Sequence, residues 1–185
     1  MNLVATGYRE IATRRTADGP VRVRAIRPTD ATALRRFYAA LSPDSRRMRF
    51  FSITAGLSDA ASISFCTTDH DHREGFVAVI GRHAEGNEIV GHLCVEPDAD
   101  SRSSAEVAIA VADAYQGQGI GRRLLRAGLE WARHEGITRL TATMLADNGA
   151  IHRLLLGCGY PSRVRYVDGG VSEVAIDLAA AKIAA

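Results

Sequence analysis

The chain has 185 residues, 46% hydrophobic and 24% charged, enough for one globular domain with a real core and too few for two full ones. Lys and Arg total 23 against 21 Asp and Glu, a formal net charge of +2 too small to argue for a nucleic-acid partner, and the Arg residues are spread along the chain without forming a basic face. Cys66, Cys94 and Cys158 lie far apart without metal-site spacing, no run approaches a membrane span, and the start lacks the basic-then-apolar order of a signal peptide; a reduced, soluble, cytoplasmic protein is expected.

Residues 1–20 carry charges without periodicity, end in Ala17-Asp18-Gly19-Pro20, and read as a flexible lead-in. Val21 to Ile26 alternates apolar and basic, the pattern of a strand with one buried face. Pro28-Thr29-Asp30 starts a helix in which Ala31, Leu34, Phe37, Tyr38 and Leu41 fall on one stripe, stopped by Ser42-Pro43. A short basic segment, 44–51, follows, and Leu57 to Thr67, with Ser58 as N-cap, reads as a second helix.

Phe76 to Ile80 and Glu88 to Val95 read as an antiparallel hairpin, and Ser104 to Val111 as the next strand of the sheet. After the glycines at 117–121, Leu124, Leu125, Leu129 and Ala132 mark an amphipathic helix that ends at Gly136. Arg139 to Met144 is a strand, Asn148 to Leu156 a short helix, and 164–167 with 171–178 a closing hairpin. One α/β (α+β) domain over 21–178 is expected, a mixed sheet with helices on both faces, followed by an Ala-rich tail at 179–185.

The strongest local signal is the run from Val111 to Arg123, in which a strand passes through Gln116-Gly117-Gln118-Gly119-Ile120-Gly121 into a helix. Glycines let the backbone approach a phosphate closely, and unpaired amides with the helix dipole favour negative charge, so a pyrophosphate is the natural guest. Neither the GxGxxG dinucleotide spacing nor the GxxxxGK[ST] P-loop spacing is present. A tight strand-to-helix turn with no ligand is the plain alternative.

Gln116-x-x-Gly119-x-Gly121 resembles the acyl-CoA pyrophosphate motif of the GNAT N-acyltransferase superfamily. Asn148, with Gly159-Tyr160 beyond it, is similar to that family's Asn…Gly-Phe segment, and the resemblance spans residues 21–178. It implies the GNAT fold, with a mixed, mostly antiparallel sheet of about seven strands, and acetyl-CoA as co-substrate with no metal. It further implies a pantetheine arm paired with the backbone of Ile109, Ala110 and Val111, and a pyrophosphate cradled by the amides from Gln118 to Arg122, with Arg122, Arg123 or Arg126 adding charge. Asn148 would hydrogen-bond the pantetheine arm while also capping its helix.

Transfer from a thioester requires a neutral amine, and an ordinary lysine ammonium has a pKa of about 10.4, so a base must remove a proton. Glu106 is the only acidic residue in the apolar strand 104–111; it shares a face with the small Ala108 and Ala110, and burial there would improve it as a base near neutral pH. The position at which many GNAT enzymes carry a Tyr general acid is Leu155, which leaves three alternatives: a neighbour such as His152 or Tyr160 in that role, another arrangement, or no acid at all.

Leu41 to Phe51 and Asp71-His72-Arg73-Glu74 are similar to segments of bacterial Pat-type protein lysine acetyltransferases, and both are expected to border the acceptor site. That similarity implies a protein lysine as acceptor, an acyl-CoA synthetase lysine among the candidates. A small amine, amino acid or antibiotic is the alternative acceptor, and a non-catalytic acyl-CoA sensor the alternative class. His70 and His72 with Asp69 and Asp71 read as a polar loop in preference to a metal site.

Overall fold

The computed structural model describes residues 11–16, 19–52, 56–70, 73–81, 88–167 and 169–183. In chain order they form β1 (Ile11–Thr16), β2 (Gly19–Ala25), α1 (Ala31–Ala40), α2 (Pro43–Phe50), α3 (Asp59–Cys66), β3 (Glu74–Ile80), β4 (Glu88–Asp98) and β5 (Ser101–Val111). Then come α4 (Ile120–His134), β6 (Arg139–Leu145), α5 (Gly149–Leu156), β7 (Ser162–Val167) and β8 (Val171–Asp177). The strands form one sheet in the order β1-β2-β3-β4-β5-β6-β8-β7. Its neighbours are antiparallel except β5 and β6, which run parallel.

Two elements differ from the sequence reading. The expected lead-in supplies an eighth strand, since Ile11–Thr16 pairs with β2 along the sheet edge. The basic segment 44–51 is a helix, α2: Ser42 caps it by accepting from the Ser45 N–H at 3.2 Å, Pro43 opens it, Asp44 sits in its first turn, and Arg47 and Arg49 in its last.

The sheet has a core on each face. Phe76, Ala78 and Ile80 of β3 join Leu93 and Val95 of β4 against Leu124, Leu125 and Trp131 of α4. Val77 and Val79 of the same strand turn the other way and join Leu34, Phe37 and Tyr38 of α1. Every residue of β3 is buried, which explains its unbroken apolar run. Helix α4 lies close on the sheet because a Cβ on Gly128 would come 2.9 Å from Leu93 and one on Gly91 2.9 Å from Leu124. Among the described residues no helix is long and apolar enough to cross a membrane.

Leu124 is fully buried at the centre of the larger core. Leu124→Ala is expected to lower unfolding free energy by about 2–5 kcal/mol, with the denaturant slope unchanged. Fluorescence of Trp131, the chain's only tryptophan and itself fully buried, follows the transition.

Candidate functional site

The site is built on the one parallel pair of the sheet. Pairing of β5 with β6 is confined to Ser104↔Arg139, Ala105↔Leu140 and Glu106↔Thr141, whereas β4 stays paired with β5 as far as Val111. Beyond Glu106 the two strands part. Main-chain groups alternate along β5: the Ser103 carbonyl accepts from Thr138 N–H at 2.9 Å on the β6 side, and Ala112 N–H donates to the Val90 carbonyl at 2.9 Å on the β4 side. By that alternation the N–H and C=O groups of Val107, Ile109 and Val111 face the opening.

At the far end of that open edge lies the glycine turn. Gly117 and Gly119 have φ of 72° and 79°, the left-handed region that other residues enter at a cost, and Gly119 caps α4. The first-turn amides of α4, at Ile120, Gly121 and Arg122, have no intrahelical acceptors, as at any helix start, and they lie where the opening ends. A Cβ on Gly121 would meet Leu154 at 3.3 Å, so the third glycine lets α5 approach the turn. The turn therefore has the chemistry to hold a diphosphate, and the open edge of β5 to pair with an amide-bearing chain.

Gln116 reaches back: its side-chain amide donates to the Val111 carbonyl at 3.1 Å and to Ser45 Oγ at 3.2 Å. Gln118 likewise donates to the Ala114 carbonyl at 3.0 Å. Ser45 belongs to α2, which crosses the opening on one face of the sheet. At the β5 side Asp113 accepts from Ser42 N–H, Ser42 Oγ and Ser45 Oγ at 2.9, 2.8 and 2.7 Å. At the β6 side Arg47 donates to Asp147 at 3.0 Å. Partial burial acts to raise the pKa of Asp113, but these hydrogen bonds outweigh it and hold the carboxyl below its ordinary range.

Glu106 lies opposite Glu96 of β4 and beside Thr141 of β6. It is exposed, which corrects the expected burial: Ala105 and Val107 turn into the core under α4, and residue 106 faces outward where the strands begin to part. With Glu96, Asp98, Thr141, Thr143 and Glu173 it lines one acidic depression. Arg73 donates to Glu96 at 2.9 Å.

Deeper on the same face is a polar group that the sequence did not reveal. The Tyr38 hydroxyl and His92 Nδ1 share a hydrogen bond of 2.9 Å, and Arg49 reaches Cys94 Sγ at 3.5 Å. Burial, reinforced by the charges of Arg49 and Arg73, pushes His92 down to about 3, so its ring is neutral. Burial also pushes Tyr38 up to about 12 and raises the Cys94 thiol. Burial opposes the charge on Arg49, but Tyr38, Cys94 and Glu106 around it prevail and keep it a cation.

Asn148 caps α5, its side-chain oxygen accepting from Ile151 N–H at 3.3 Å, at the end of β6 where the opening is bounded. Leu155 is buried. His152 shares a 2.8 Å hydrogen bond with Ser172, and Tyr160 is buried under Arg133 and Lys182. Arg122 and Arg126 line a groove between α4 and α5, and Arg126 donates to Glu130 at 2.8 Å. His70 pairs with Glu74 at 2.9 Å, while Asp71 and His72 lie outside the described residues. Among the described residues no group of His, Cys, Asp and Glu could hold a metal ion.

Residues 34–160 match the model of the acetyltransferase (GNAT) family. An acetyltransferase of Pseudomonas aeruginosa is 28% identical over 144 residues, which cover 76% of this chain and 74% of that protein. Acetyltransferase Pat of Mycolicibacterium smegmatis is 28% identical over 141 residues, 76% of this chain but 36% of that longer protein. The crystal structure of the GNAT domain of S. lividans PAT superposes with a TM-score of 0.77 at 31% identity, covering 90% of this chain and 96% of that one.

The Asp113 network carries a pH signature. Because the folded carboxyl titrates below its unfolded value of about 3.9, its contribution to stability is present above that pH and lost as pH falls through the lower, folded value. Wild type is expected to exceed Asp113→Asn in stability at neutral pH, and the gap to narrow below about pH 4. Urea denaturation of both proteins across the acid range checks this.

Proposed function

Because the chain belongs to the acetyltransferase (GNAT) family, and is thus an N-acyltransferase, we propose that it transfers acetyl from acetyl-CoA to a protein lysine, with Glu106 as general base. The observation that carries this reading is the open edge of β5, which runs from the outward-facing Glu106 to the glycine turn at the head of α4. A pantetheine arm laid along Ile109 to Val111 would place its phosphates at the amides of Ile120, Gly121 and Arg122 and its thioester toward Glu106. Gln116 fixes the turn from beneath, and Asn148 bounds the other lip.

The amine attacks the thioester carbonyl: a C–N bond forms, the C–S bond breaks, and the amine proton passes to Glu106 or to a water that it holds. CoA leaves as a thiolate and takes up a proton. Since an ammonium is not a nucleophile, the base is needed before or during attack. The acidic depression around Glu106 suits a cationic acceptor, because several carboxylates in one concavity attract and orient an ammonium. A lysine acceptor draws further support from similarity to two Pat-type proteins and from α2, the Pat-like segment, which lies across the opening.

Glu106→Gln tests the reading. It is expected to keep acetyl-CoA affinity within a few-fold while kcat falls by about 10²–10⁴. CoA release would be followed with acyl-CoA synthetases and, separately, with a panel of small amines. Turnover on small amines alone would move the acceptor to that class. Acetyl-CoA binding with no turnover by wild type on either pool would make the chain a sensor.

A further inference from the structure

The chain has a single lysine, Lys182, among its 23 Lys and Arg residues. Every other strong base is a guanidinium, which stays protonated and is no acceptor for an acyl group. Lys182 is exposed, and its ammonium stands 5.5 Å above the centre of the Tyr160 ring. Among the described residues it forms no ion pair. Hydrogen bonds hold the segment on both sides of it: Ala179 and Ala180 N–H donate to the Asp177 carboxylate, and Ile183 N–H donates to the Gly159 carbonyl at 2.9 Å. Its neighbours along the chain are small or aliphatic, Ala180, Ala181 and Ile183, and the groove beside it also holds Arg122, Arg126 and Glu130. A cation over a ring at an exposed position is held weakly and is free to leave.

We propose that Lys182 is a self-acetylation site, presented by one copy of the chain to the Glu106 depression of a second copy. The proposal rests on the lysine-acceptor reading above. Transfer within one copy is excluded by placement: Lys182 lines the groove between α4 and α5 with Arg122, Leu125, Arg126 and Leu154. Those helices cover the face into which Ala105 and Val107 point, and Glu106 points out of the opposite face. The acidic depression of the second copy, with Glu96, Asp98, Glu106 and Glu173, complements the ammonium.

The neutral Lys182 amine attacks the thioester carbonyl of acetyl-CoA held by the second copy. The C–N bond forms as the C–S bond breaks, the amine proton goes to Glu106 or its water, and the departing thiolate is protonated to CoA. The amide so formed has no charge, and the contact with Tyr160 loses its electrostatic part.

Wild type, Lys182→Arg and Glu106→Gln would each be incubated with acetyl-CoA, with an acyl-CoA synthetase present in a parallel set. Intact mass and peptide mapping would follow acetylation. The expected result is one acetyl group on Lys182 of wild type, none on Lys182→Arg, and at least a tenfold slower rate for Glu106→Gln. The rate per molecule should double when wild-type concentration is doubled. Acetylation of the synthetase without acetylation of Lys182 would overturn this proposal and leave the lysine-acceptor reading intact. An acetyl group on the N-terminal amine instead, an equal rate in Glu106→Gln, or a rate per molecule independent of concentration would also overturn it.

Discussion

The short parallel contact between β5 and β6 is the constraint on which the rest depends. Each half of the sheet is complete in itself: β5 is paired to β4 up to Val111, and β6 is paired to β8 from Arg139 to Leu145. The seam between the halves is closed for three positions and open thereafter. A strand edge facing an opening carries main-chain donors and acceptors that are costly to leave unpaired, so the fold creates a place that a ligand with its own amides can complete. The seam is also held from both faces. On one, α2 spans it from Asp113 to Asp147; on the other, Gly121 brings α4 against Leu154 of α5. The width of the opening is thus set by elements far apart in sequence, and the opening begins at Glu106.

That dependence explains what was legible in the sequence. The glycine turn could be read because everything it needs lies within a few residues: a strand, glycines able to take positive φ at 117 and 119, and an apolar stripe after them. The β-strands from 74 to 111, the helix α4 and the final β-α-β-β run were legible for the same reason, and the expected mixed, mostly antiparallel sheet is what forms. Helix α2 escaped because three arginines and no apolar stripe mask its propensity, although its capping serine, first-turn proline and charge order were all present. Strand β1 escaped because an edge strand rich in arginine and threonine lacks the alternation that marks a half-buried one.

The site was legible in its backbone parts and obscure in its side-chain networks. Glu106 was singled out as the acidic residue beside small neighbours on β5, yet its expected burial failed because exposure depends on the seam, and the seam on β6, some 35 residues away. The bonds of Asp113 to Ser42 and Ser45 join positions 71 and 68 residues apart, and Tyr38 meets His92 across 54. No local pattern announces such pairs, because each partner is an ordinary cap, helix or strand residue until the chain folds. Arg49 is the extreme case: it reads as one charge in a basic turn and becomes a half-buried cation beside Cys94.

The cysteines bear on how an acyl group can move through this site. A route through an acyl-enzyme needs a thiolate, and reactive cysteines owe theirs to an environment that lowers the thiol pKa. Here burial does the reverse at all three: Cys66 is pushed up to about 11, and Cys94 and Cys158 are raised as well. Cys94 is the one nearest Glu106, and even the adjacent Arg49 cation does not overcome its burial. A thiol so held is a poor nucleophile. Glu106, by contrast, is an exposed carboxylate at the mouth of the opening, suited to take a proton from an amine and not to carry an acyl group as an anhydride in contact with water. Under the proposed function, these placements favour a single displacement over a route through an acyl-enzyme.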